Sequence, residues 1–155
     1  MSGAPKVADR VVSNSGDLVA HLASGEKPPE AWRVGTEHEK IGVYEDTLER
    51  VPYEGENGIR GLLEEIARND GWASSFEGEN LVALEKDGAS ITLEPGGQLE
   101  LSGAPLRTVH ETCDEFHRHL HIVREATRTR GIVWLSVGID PKHGVAAVPQ
   151  VPKQR

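Results

Sequence analysis

Apolar residues recur at helical spacing in three stretches of the chain and at alternating spacing in several others. Ser15 to Ser24 carries Leu18, Val19 and Leu22 on one side, with Gly25 as a stop, and predicts a short helix. Lys27-Pro-Pro-Glu30 then forces extended chain, because proline fixes φ and has no N–H. Arg33 to Tyr44 predicts a strand. Gly58 to Asn69 places Ile59, Leu62, Leu63 and Ile66 on one helical face and closes near Gly71. Leu81 to Glu94 predicts a hairpin, two runs flanking the tight-turn pair Asp87-Gly88, and a further strand, Gly97 to Ser102, follows Pro95-Gly96. The longest helix opens at Thr108 with Glu111 three residues on, the pattern of a capping box, and ends at Gly131. Leu106, Val109, Cys113, Phe116, Leu120, Val123 and Thr127 form its expected apolar side. Ile132 to Ile139 predicts a buried strand, and after Asp140 periodicity is lost.

Helices and strands mix without the strict alternation of a parallel sheet, so the pattern predicts an α+β fold with a largely antiparallel sheet. Residues 1–12 are expected to be a loose leader. The 155 residues suffice for one core. The net charge of −8, with no basic run, argues against a nucleic-acid partner, because such a chain repels a phosphate backbone. Cys113 is the only cysteine, so no disulfide can close within the chain. No stretch reaches membrane-spanning length, and the start lacks an apolar signal core. These features lead to the expectation of a reducing, cytoplasmic compartment and no membrane partner.

Two acidic groups change the picture. Glu37 and Glu39, two apart on a strand, point to one face, with Ile41 and Val43 continuing the same parity. In Leu93-Glu-Pro-Gly-Gly-Gln-Leu-Glu-Leu-Ser102, extended chain puts Glu94, Gln98, Glu100 and Ser102 on one face and Leu93, Leu99 and Leu101 on the other. The Pro95-Gly96-Gly97 run is able to break that parity by inserting a bulge. Converging carboxylates repel unless a cation lies between them, and a hard divalent ion such as Mg²⁺ takes oxygen ligands of this kind. A solvated face and a metal site both remain open on pattern alone.

Three segments are distinctive as sequences: Gly35-Thr-Glu-His-Glu-Lys-Ile-Gly42, Leu93-Glu-Pro-Gly-Gly-Gln-Leu-Glu-Leu-Ser-Gly-Ala-Pro-Leu106 and His110-Glu-Thr-Cys-Asp-Glu115. They resemble the glutamate–cysteine ligases of the plant and proteobacterial type, from about Arg33 to the last residue. Pro149-Gln-Val-Pro-Lys-Gln-Arg155 resembles the family's Met-Pro-Lys-x-Arg-Tyr segment, with Val151 where methionine is usual. The resemblance implies a glutamine-synthetase-like curved sheet with the site on its concave face. Family members are longer, so 13–155 is expected to be the N-terminal part of a catalytic domain, inactive by itself. Carried over by position, Glu37, Glu39, Glu94 and Glu100 are the implied Mg²⁺ ligands and Gln98 a substrate contact, with glutamate, cysteine and ATP as small-molecule partners. The implied reaction joins the γ-carboxylate of glutamate, activated as an acyl phosphate, to the amine of cysteine. A related glutamate carboxylate–amine ligase using another amine, or a non-catalytic divalent-metal domain, is the alternative.

The remaining chemistry reads as structural. No cluster of Arg and Lys offers itself for phosphates. Cys113, on the expected apolar stripe, reads as a packing thiol. His117 and His121 have zinc-compatible spacing, with His110 on the same flank, but lack a complete ligand set. His38 alternates with the carboxylates and is expected to face away from them. Glu79, on a loop, is open to two readings, an approach to the carboxylate site or a surface role, and Trp32, Trp72 and Trp134 read as packing residues.

Overall fold

Four apolar side chains of helix α2 (Ile59–Asp70), Ile59, Leu62, Leu63 and Ile66, are buried, as their spacing requires. Each such burial stabilises by roughly 1.5–3 kcal/mol before entropy is counted. Gly71 stops the helix in the left-handed region, at φ 68°. The computed structural model describes residues 11–148 and 150–152. The expected leader lies outside these except for Val11 and Val12, which are exposed and without regular structure.

Among the described residues six strands form one antiparallel sheet: β1 (Glu37–Tyr44), β2 (Ala73–Glu77), β3 (Asn80–Lys86), β4 (Ala89–Glu94), β5 (Gln98–Ser102) and β6 (Ile132–Leu135), in the order β2-β3-β4-β5-β1-β6. The first strand in sequence thus lies between the fifth and the sixth. Asp87 and Gly88 both take positive φ, 51° and 84°, as a two-residue hairpin turn requires. With helices α2 and α3 (Val109–Thr127) beside this sheet, the fold is α+β, as the pattern predicts.

The register fixes which residues share a face. Leu93 pairs with Leu99 and Ile91 with Leu101, so Leu84, Ile91, Leu93 and Leu99 build the core against α2 and the end of α3. Directly paired residues point to the same side. The opposite face therefore carries Glu37, Glu39, Gln98, Glu100, Ser102, Thr92 and Glu94. Glu94 pairs with Gln98 across a turn in which Gly96 and Gly97 adopt φ 81° and 73°. The glycines absorb the reversal without a bulge, and the parity of Glu94 with Glu100 survives.

Helix α3 begins with the capping box: the Thr108 hydroxyl accepts from the Glu111 N–H at 3.2 Å, and the Glu111 carboxylate accepts from the Thr108 N–H at 2.8 Å. Its expected apolar side is buried in the C-terminal half, at Val123 and Thr127, and half-buried at Phe116 and Leu120, but departs at the start: Val109 is 64% exposed and Cys113 is exposed, while Thr112 and His119 are buried. Where α3 meets β1, its neighbours are His38, against Phe116, and Lys40, against His119, so polar side chains face it there. Cys113 is consequently a surface thiol, not a packing one.

Other boundaries shift for identifiable reasons. β1 begins at Glu37, and the preceding residues contribute only a bridge from Val34 to Leu106. β6 ends at Leu135; the chain then leaves the sheet, exposing Val137 and Ile139 and bringing Asp140 to Arg50. β2, at one sheet edge, has no predicted counterpart. In α1 (Ser15–Ala23) the expected apolar side, Leu18, Val19 and Leu22, is exposed among the described residues. Trp32 is likewise exposed, while Trp72 and Trp134 pack partly buried against the core.

Candidate active site

The sheet brings the sequence-predicted carboxylates onto one face with a definite adjacency. Glu39 stands directly opposite Glu100, and Glu37 opposite Ser102. Side chains so paired start about 4.5–5.5 Å apart at Cβ, well within mutual reach. Glu100 is 4% exposed and accepts a hydrogen bond from Thr92 Oγ1 at 2.7 Å, which orients its carboxylate. Glu37 and Glu39 are exposed. Glu94 and Gln98, half-buried, form the next cross-strand pair beyond Glu100. Glu79 is exposed in the β2–β3 turn, away from these strands.

Whether the set suits Mg²⁺ depends on the donors and their spacing. All four candidates are carboxylates, the oxygen donors that ion favours, and Mg²⁺ commonly uses one or two carboxylates with phosphates and water completing the octahedron. The facing pair Glu39–Glu100 fits that pattern. Among the described residues no three His, Cys, Asp or Glu side chains are already gathered as a metal cluster, so the site is a carboxylate pair with Glu37 and Glu94 flanking it. A cavity of about 290 Å³ lies on the other face, beside Leu101, Glu115 and His119, and none of the four carboxylates lines it.

Beneath the pair, β1 turns alternate residues toward α3. His38 stacks on Phe116 with centroids 4.4 Å apart, and so faces away from the carboxylates as expected. Lys40 is wholly buried; its ammonium donates to His119 Nε2 at 2.8 Å and to the His38 carbonyl at 3.2 Å. Burial pushes Lys40 down to about 8, partly opposed by the nearby charge of Glu100. His119 falls to about 3 because of burial and then the charges of Lys40 and His38, so it is neutral and its Nε2 accepts the hydrogen bond from the lysine. Burial and Lys40 lower His38 as well.

Sequence reasoning missed a cation on the carboxylate face. Arg50 bridges to Val43, whose parity is that of Glu37 and Glu39, and its Nη1 lies 2.8 Å from Asp140 Oδ2. Burial alone would raise the Asp140 carboxyl. Hydrogen bonds from Arg50 and from the N–H groups of His143 and Lys142 instead hold it well below the usual carboxylate range. The partners are 90 positions apart, so no local motif announces them.

Together these features define an α+β protein with an apolar, helix-backed sheet face and a carboxylate-bearing opposite face. The family model for glutamate-cysteine ligase family 2 matches residues 33–155, and the chain belongs to that family. It is 45% identical over 159 residues to the chloroplastic glutamate–cysteine ligase of Nicotiana tabacum, covering 100% of this chain and 30% of that protein. Glutamate–cysteine ligase A, chloroplastic, of Oryza sativa subsp. japonica is 46% identical over 139 residues, 90% of this chain and 28% of its own length. For the chloroplastic glutamate–cysteine ligase of Arabidopsis thaliana the values are 44%, 90% and 26%. The chain thus spans under a third of each of these relatives.

The relatives' names overturn the cytoplasmic expectation, since each is called chloroplastic. That expectation rested on a missing apolar signal core and a single cysteine. Plastid transit peptides are amphipathic and acidic-poor rather than apolar, so the first criterion does not separate the two compartments. Among the described residues no helix is long and apolar enough to cross a membrane.

Proposed function

We propose that this chain supplies the metal-holding carboxylate face of an ATP-dependent ligase that joins the γ-carboxylate of glutamate to the amine of cysteine. The observation that carries the reading is the cross-strand pairing of Glu39 with Glu100 on the sheet face opposite the leucine core. Membership of the family and the names of its relatives supply the reaction class. In this reading Glu37, Glu39, Glu94 and Glu100 hold Mg²⁺ and Gln98 contacts substrate, supported by Gln98 sharing their face and pairing with Glu94. Bound there, Mg²⁺ would neutralise the triphosphate and the developing charge of phosphoryl transfer.

The protein's own contribution follows from its geometry. Two anions, a carboxylate and a triphosphate, must meet, and an acidic sheet face by itself repels both. Glu39 and Glu100 turn that repulsion into metal affinity, because each loses its unfavourable neighbour only when a cation lies between them. Thr92 Oγ1 donates to Glu100 Oε2 and leaves Oε1 available to a ligand. The buried ammonium of Lys40 lies on the far side of the same strand and offsets part of the acidic field without reaching substrate.

Calorimetric titration of Mg²⁺ into the chain, with and without a non-hydrolysable ATP analogue, tests the proposal. Tighter Mg²⁺ binding with the nucleotide, abolished in Glu39→Gln and Glu100→Gln, is the expected result. Binding that neither variant alters would remove the basis of the assignment. With glutamate and ATP present, comparing phosphate release for cysteine and 2-aminobutyrate in a protein spanning the whole family domain identifies the amine. The 155 residues alone are expected not to turn over.

A further inference from the structure

Three segments distant in sequence meet at one guanidinium. Arg50 Nη1 donates to Asp140 Oδ2 at 2.8 Å, and Arg50 Nη2 donates to the carbonyl of Gly96, inside the turn that joins β4 to β5. The two side chains of the ion pair are 9% and 8% exposed. Asp140 is itself fixed by the N–H groups of Lys142 and His143, each 2.9 Å from its Oδ1. From the other side, Val148 closes over the turn: a Cβ added at Gly96 would lie 2.6 Å from Val148 Cγ1. The carbonyl so held is two residues from Glu94 and two from Gln98.

The guanidinium points one N–H of each terminal nitrogen into the protein, at a buried carboxylate and a carbonyl, and at 9% exposure it presents little surface to a substrate anion. Its planar fork instead sets the angle between the two groups it holds, which a lysine ammonium does not do. We propose that Arg50 is a positioning residue: locked by Asp140, it fixes the β4–β5 turn and so the direction in which Glu94 and Gln98 project. The inference rests on the metal and substrate roles proposed for those two residues, but its first test is independent of them.

That test is amide hydrogen exchange on the chain, comparing wild type with Arg50→Lys and Arg50→Ala. The Gly97 N–H donates to the Glu94 carbonyl at 2.9 Å and reports the turn; the Leu62 N–H, 3.1 Å from the Gly58 carbonyl, reports α2. Arg50→Ala is expected to speed exchange at Gly97 by about tenfold with Leu62 unchanged, and Arg50→Lys to fall between, since one contact survives. Equal Gly97 exchange in all three proteins overturns the clasp.

The second measurement is Mn²⁺ binding to the same proteins and to Glu65→Ala, which removes the partner of Arg130 at 2.5 Å and lies on α2, outside β4, β5 and their turn. Arg50→Ala is expected to weaken Mn²⁺ by about tenfold or more, the usual cost of losing an outer support, while Glu65→Ala lowers stability and leaves affinity alone. An equal loss of affinity in both variants overturns the positioning role, because it marks general destabilisation. A wild-type chain that binds no Mn²⁺ sinks the metal reading, and the exchange data then decide the clasp by themselves.

Discussion

The ammonium of Lys40 lies 2.8 Å from Nε2 of His119, joining β1 to α3 through a contact that contains no carboxylate. Both groups are displaced toward their neutral forms, with the pKa of His119 at about 3 against 6.5 and that of Lys40 at about 8 against 10.5. Between 3 and 6.5 the unfolded histidine binds a proton that the folded one does not, so stability falls as pH drops through that window. Between 8 and 10.5 the unfolded lysine holds the extra proton, so stability rises with pH there. Urea unfolding at about pH 4.5, 7 and 9.5 is expected to give the lowest stability in acid and the highest in base. His119→Leu should flatten the lower window and Lys40→Met the upper one. Unaltered slopes in both variants would show that other groups set the profile.

Glu39 and Glu100 should behave oppositely with and without metal. Like charges directly opposite on antiparallel strands destabilise, by roughly 0.2–1 kcal/mol. Glu39→Gln removes the repulsion and leaves the Thr92–Glu100 hydrogen bond and the attraction of Glu100 for Lys40 in place, so the metal-free variant should melt slightly above wild type. In excess Mg²⁺ the order should reverse. Thermal melts with chelator and with Mg²⁺ make the comparison, and a variant less stable in both conditions contradicts the pairing.

Gly42 is where the Trp134 ring meets the sheet. An added Cβ would come within 2.9 Å of Trp134 Cζ3 and 3.0 Å of Cη2, so Gly42→Ala must displace the indole. Overpacking of this kind costs typically about 1–3 kcal/mol. Urea unfolding followed by tryptophan emission should show the loss, with a native-state spectrum altered by the moved ring.

Cys113 should react in the native protein. It is exposed on α3, with Sγ 3.5 Å from His117 Nδ1. A disulfide-exchange reagent should label one thiol per chain under native conditions, at a rate within about tenfold of the urea-unfolded chain. Labelling seen only after unfolding would restore the buried reading and misplace the phase of α3.

Much of the fold was legible where local chemistry decides it. Asp87-Gly88 sets a hairpin turn, Thr108 and Glu111 cap a helix, and Leu93, Leu99 and Leu101 alternate with carboxylates on the strands that form. The shared face of Glu94 and Glu100 was expected from extended chain, but it arises across a tight reversal through the Glu94–Gln98 pair, and which carboxylate faces which was not readable. Cross-strand register is a long-range property, and it alone pairs Glu39 with Glu100. The face of α3 was read correctly at Val123 and Thr127 and misread at Val109 and Cys113, because apolar spacing presumes an apolar partner. Above β1 the partners are His38 and Lys40, and the polar His119 is the residue buried there. β2 escaped because Ala73-Ser-Ser-Phe-Glu77 is an edge strand with a register shift at Ser75/Phe76 and no clean alternation. Arg50 and Asp140 meet only after the sheet is built.

The insertion of β1 between β5 and β6 also orders events in time. The β3, β4 and β5 strands and α2 are contiguous and can assemble as soon as they exist, whereas Glu37 to Lys40 has no strand partner until β5 arrives; the far end of β1 meets its local partner Arg50 early and gains β6 last. Contacts of such long sequence separation form late. On a ribosome the strand bearing Glu37 and Glu39 emerges early and settles near the end, so this acidic segment spends longest as an unpaired ribbon. Pulse-labelling exchange during refolding should find the hairpin amides at Leu84 and Ile91 protected before that at Glu39.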